Sequence, residues 1–76
     1  MKGGVNMTWT IQTEKIGNYS ISIEQDKYSS GYTVKQNRCV NKDLNYYVME
    51  KENYYPTIEK AKRRFAALRR NLRKEM

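Results

Sequence analysis

Apolar and polar residues alternate with period two through most of the first 55 positions, then switch to a period near 3.6. Trp9 and Ile11 alternate with Thr8, Thr10 and Gln12. Tyr19, Ile21 and Ile23 alternate with Ser20, Ser22 and Glu24, the clearest two-residue period in the chain. Gly17-Asn18 between these runs is a two-residue turn of the kind that joins antiparallel strands. Asp26-Lys27-Tyr28-Ser29-Ser30-Gly31 reads as a polar loop with a glycine available for positive φ. Tyr32 and Val34 begin a third strand reaching about Val40, its later phase blurred by Gln36, Asn37 and Arg38. Asn41-Lys42-Asp43 is the next turn, and Leu44, Tyr46 and Val48 line one face of a fourth strand. Short connections and repeated alternation predict an antiparallel meander with one face covered.

The cover is predicted at the C-terminus. Pro56 ends the strand region, Thr57 is a fitting N-cap, and Glu59 lies in the first turn, where the helix dipole favours an anion. Ile58, Ala61, Phe65, Leu68 and Leu72 follow at spacings of 3, 4, 3 and 4, one stripe of an α-helix. A helix of about 27 Å would cross a four-stranded sheet diagonally. The expected fold is α+β, a four-stranded antiparallel meander packed by one C-terminal amphipathic helix. Tyr54 and Tyr55 are expected to pack around the corner between strand and helix.

With 76 residues the chain makes one domain at most. The expected organisation is a flexible extension over residues 1–7 and a single domain over 8–76. At 38% hydrophobic residues the core must be compact. Seven Tyr, with Trp9 and Phe65, predict that much of it is aromatic. Dimerisation is an ordinary way for a domain this small to add buried surface. Lys2-Gly3-Gly4 can be encoded by a purine-rich run resembling a bacterial ribosome-binding site ahead of the Met7 codon. A natural start at Met7 and a short glycine-containing arm lead to the same expectation for these residues. The first of these favours a bacterium or one of its phages as the source. The single cysteine, Cys39, has no internal disulfide partner, and neither a secretory signal nor an apolar stretch of membrane-spanning length is present. A cytoplasmic setting without membrane attachment is expected.

Charge is distributed unevenly. From Thr57 to Met76 there are eight Lys/Arg against Glu59 and Glu75, a net of +6, whereas residues 1–56 hold seven basic and six acidic side chains. Such asymmetry points to a polyanion or an acidic protein surface as partner. On a helix, Lys60, Arg63, Ala67, Arg70 and Lys74 fall opposite the apolar stripe. Arg64, Arg73 and Lys62 widen this ridge, and Arg69 lies near its buried edge. Ala67 leaves a gap through which a backbone can approach while guanidinium groups reach phosphates or carboxylates on either side. A solvated helix face accounts for Arg70, Arg73 and Lys74, which suit the dipole at the last turns. It accounts poorly for Lys60, Arg63 and Arg64, placed where acidic residues are preferred. The candidate binding residues are therefore Lys60, Arg63, Arg64, Arg70, Arg73 and Lys74. A second candidate surface is the outer sheet face, where Tyr47 and Met49 would lie beside Lys35 and offer stacking or a protein contact.

The segment Tyr55-Pro56-Thr57-Ile58-Glu59-Lys60-Ala61, continuing to Phe65, resembles the strand-to-helix junction of ethylene-response-factor-type DNA-binding domains and of the arm-binding domains of tyrosine integrases. The likeness covers about twenty residues. In those families three strands precede the helix and the exposed sheet face enters the major groove. The resemblance implies the architecture. The sheet here lacks the arginine and tryptophan cluster with which those domains read DNA, and the positive charge sits on the helix. In size and composition the chain is similar to small accessory proteins of phages and mobile elements, the anti-CRISPR proteins among them. That likeness implies an inhibitor that binds a host defence complex.

The chain contains no histidine, so the commonest general base and metal ligand is absent. Cys39 alone cannot make a zinc site. Glu50 and Glu52, two apart, share one strand face in this reading, without a second acidic cluster to complete a nuclease or glycosidase pair. No glycine-rich phosphate loop is present. The expected function is non-enzymatic, with no cofactor and no metal: binding of nucleic acid or a nucleoprotein through the helix ridge, or, alternatively, inhibition of a host defence complex through an acidic protein surface.

Overall fold

A computed structural model describes residues 8–27 and 30–75. Four strands, β1 (Thr8–Ile16), β2 (Tyr19–Asp26), β3 (Tyr32–Asn41) and β4 (Tyr46–Tyr55), are followed by one helix, α1 (Ile58–Lys74). The strands form an antiparallel sheet in the order β1-β2-β3-β4, the predicted meander with its single covering helix. The extension expected over residues 1–7 lies outside the described residues.

The covered face follows from register. Ile16 pairs with Tyr19, Ile21 with Gln36, and Ile23 with Val34, all on the helix side. Against them α1 places Ala61, Phe65, Leu68 and Leu72, all buried, with Ile58 partly buried at the margin. The predicted helical stripe is therefore the core-facing stripe, residue for residue. Thr57 caps the helix: the Lys60 backbone N–H donates to its hydroxyl oxygen at 3.4 Å. At the other end the Glu75 N–H donates to the Leu72 carbonyl.

Turn chemistry sets the hairpins. Gly17 takes φ 59, the left-handed region that the β1–β2 turn requires. In the β3–β4 connection Asn45 takes φ 53, tolerated by asparagine, and the Asn41 side chain accepts from the Leu44 N–H at 3.1 Å. Gly31 has no positive φ. It is needed for a different reason, because a Cβ there would collide with the Tyr54 ring.

Several expectations fail, two of them at irregularities in the pairing. A register shift between Thr10 and Gln12 leaves Ile11 out of the ladder, and both Trp9 (53%) and Ile11 (45%) are exposed. The buried core is thus aliphatic with Phe65, and Tyr19, Tyr32 and Tyr55 only flank it. Leu44 sits in the turn before β4, 76% exposed, because that strand begins at Tyr46. A second shift, between Gln36 and Asn37, pairs Lys51 with Gln36 and Met49 with Asn37 and leaves Glu50 unpaired. Glu50 turns to Gln36 and Arg38 on the helix side, while Glu52 stays on the outer face near Lys35. The two carboxylates do not share a face. Tyr55 packs at the corner as expected, but Tyr54 lies on the outer face.

Leu68→Ala should lower stability by about 2–5 kcal/mol, through lost burial and a residual cavity. Ile11→Ala should change it by less than about 0.5 kcal/mol, as at other exposed sites. Urea titration of the two variants checks this; equal costs would place Ile11 in the core.

Candidate nucleic-acid interface

Each helical residue advances about 100° around the axis, so the eight Lys/Arg of α1 cover an arc of roughly 220°. Arg69 begins it beside the core on the β1 side, and Arg64 ends it beside the core on the β4 side. Between them lie Lys62, Arg73, Arg70, Arg63, Lys74 and Lys60. Arg69 remains half-buried, its guanidinium 5.9 Å from the Phe65 ring centre. Ala67 is half-buried too, rather than an open gap, since long basic stems on either side cover it.

Counter-charge is confined to the β1 flank. Glu14 accepts from Arg73 Nη2 at 2.8 Å and from Arg69 Nη1 at 3.4 Å. Among the described residues Lys60, Lys62, Arg63, Arg64, Arg70 and Lys74 have no ion-pair partner. Five of the six predicted ridge residues are thus unneutralised, and Arg73 is the exception. Sequence reading missed Glu14 because its partners lie 55 and 59 positions away. Only the hairpin register brings it to the helix side.

Two concave surfaces flank the helix. Ala66, Arg69, Arg70, Arg73 and Lys74 line a groove of about 510 Å³ on the β1 side. Tyr55, Lys60, Arg63 and Arg64 line a cleft of about 400 Å³ on the β4 side. Here the Arg64 Nε is buried without a hydrogen-bond partner.

The outer sheet face carries the second predicted set. Met49 is 55% exposed and Tyr47 half-buried, on the same side as Lys35, as expected. But Lys35 Nζ lies 3.0 Å from Glu24 and 3.9 Å from Glu52, so its charge is already met. Lys15 Nζ lies 6.0 Å from the centre of the Tyr47 ring. This face is mixed and close to neutral, a poor polyanion surface.

Among the described residues no three acidic or sulfur ligands converge where an ion would fit, and no helix is long and apolar enough to cross a membrane. No family model, curated protein or solved structure matches the chain.

The Glu14 pairs are partly exposed, so Glu14→Gln should cost at most about 1 kcal/mol of stability. It frees two guanidinium groups, and the variant should elute from heparin at higher salt than the parent. Unchanged elution would mean that Arg69 and Arg73 do not take part in anion binding.

Proposed function

We propose that this is a non-catalytic protein that binds nucleic acid, free or within a nucleoprotein, through the basic arc of α1. One observation carries the reading: among the described residues, six cations on a single helix share one arc and have no ion-pair partner. Like charges at i, i+4, such as Lys60 with Arg64, weaken a helix by a few tenths of a kcal/mol. Solubility does not require their concentration on one element. Bound phosphates would relieve the repulsion, and release of condensed counterions would supply the driving force. Contacts of this kind position a backbone and carry little sequence information.

The rival occupant is an acidic protein surface, as expected of an anti-CRISPR-type inhibitor of a host defence complex. The same arc would serve it, but free nucleic acid would then bind poorly.

Titration into labelled duplex DNA and single-stranded RNA at several salt concentrations tests the reading. Six phosphate contacts should give a slope of log Kobs against log salt of about −4.2 on the single strand and about −5.4 on the duplex. Arg63→Glu combined with Arg70→Glu should abolish binding at physiological salt, with the circular dichroism spectrum unchanged. Absence of binding by the parent protein at low salt sinks the proposal.

A further inference from the structure

The two flanks of the helix differ in a way that bears on the form of nucleic acid bound, an inference that rests on the preceding proposal. On the β1 side Glu14 bridges Arg69 and Arg73 and offsets one of their two charges. On the β4 side three cations converge on one cleft with no carboxylate among its lining groups. Arg64 also keeps its Nε buried without an acceptor there. A buried donor on a charged group is costly to leave unpaired. The three cationic side chains around this cleft suit an anion.

The surroundings of the cleft are aromatic. Tyr55 forms one wall of the cleft. By register, Tyr55, Asn53, Lys51, Val48 and Tyr46 all lie on the helix side of β4. The helix packs mainly over β2 and β3, so most of this row is left open: Asn53, Lys51 and Tyr46 are exposed, Tyr46 at 58%. Glu50, the acidic residue at the bulge in this row, is neutralised by Arg38 Nε at 2.8 Å. The lane between α1 and the margin of β4 is therefore cationic, with a tyrosine at each end about 30 Å apart at strand rise. An exposed ring at one end and a half-buried ring at the other, with cations between and beside them, suit unpaired bases, whose faces a duplex keeps stacked.

We propose that this lane holds a single strand, with phosphates at Lys60, Arg63, Arg64 and Lys51 and bases stacked on Tyr55 and Tyr46. The span accommodates about four or five nucleotides, within the range of single-strand binding modules. The β1-side groove, lined by Arg69, Arg70, Arg73 and Lys74, is left for longer-range attraction.

The test compares three labelled probes of equal length by fluorescence anisotropy: oligothymidylate, an abasic strand with the same phosphates, and a duplex. Oligothymidylate should bind most tightly, by about tenfold or more over the abasic strand, the scale of one stacked base. Tyr46→Ala and Tyr55→Leu should each remove about that factor for oligothymidylate and leave abasic binding unchanged. Tyr54→Ala, on the opposite sheet face, should have no effect. Tyr46 is exposed, so its truncation spares the fold even if the Tyr55 variant is destabilised. Duplex and abasic probes that bind as tightly as oligothymidylate, insensitive to Tyr46→Ala, would overturn the single-strand lane and leave the basic arc standing. Failure of all three probes to bind at low salt would overturn both.

Discussion

The packing of one helical stripe against one sheet face holds this protein together. Ala61, Phe65, Leu68 and Leu72 meet Ile16, Ile21, Ile23 and Val34, and these eight side chains form the buried core. An antiparallel sheet of four strands has no stable existence in water with an uncovered apolar face. A lone helix of 17 residues bearing eight cations is marginal for the opposite reason, since its own charges oppose it. Each element is therefore viable only through the other. Ala61 is fully buried, where its small side chain lets the backbone of α1 come close to the sheet.

This dependence determines where the charge can go. Burying an arginine head without a partner is prohibitively costly, so the basic residues of α1 are confined to the arc that the stripe leaves free. At the arc's two margins the fold resolves the problem differently. Near β1, Glu14 enters from the sheet and meets Arg69 and Arg73. Near β4, among the described residues, no carboxylate reaches the helix cations: Glu50, which the bulge turns to the helix side, is taken up by Arg38 and Gln36. The β1 flank is thus partly compensated by one carboxylate, and the β4 flank is not.

The elements legible from the sequence are those governed by strict periods. The helical stripe repeats without interruption, and its cap and boundary residues agree with it, so Thr57 through Leu72 can be read directly. The β1–β2 hairpin is equally plain, because Gly17-Asn18 and the alternation through Ile23 point the same way. Legibility is lost at the bulges. At Ile11 and Glu50 one inserted residue inverts the facing of everything beyond it, and no local signal marks either position. This is why Glu50 and Glu52 read as neighbours and part to opposite faces, and why Ile11 reads as core and drops out of the ladder. The ridge cations needed only the helical period. Their neutralisation by Glu14, and the aromatic row beside them, needed the register.

Function and stability are then coupled through one element. The residues of α1 that hold the sheet and those that face the proposed ligand alternate along the same 17 positions. A polyanion that binds the folded form alone raises its stability by mass action. Bound to the proposed site, it would also remove the repulsion among Lys60, Arg63, Arg64 and Arg70. The proposed ligand and the apolar stripe would thus act on α1 from opposite sides, one screening its charges and the other burying its face. A domain with so small a core has little surplus to hold an uncompensated helix, which makes the cationic arc more readily understood as half of an interface than as a solvated surface.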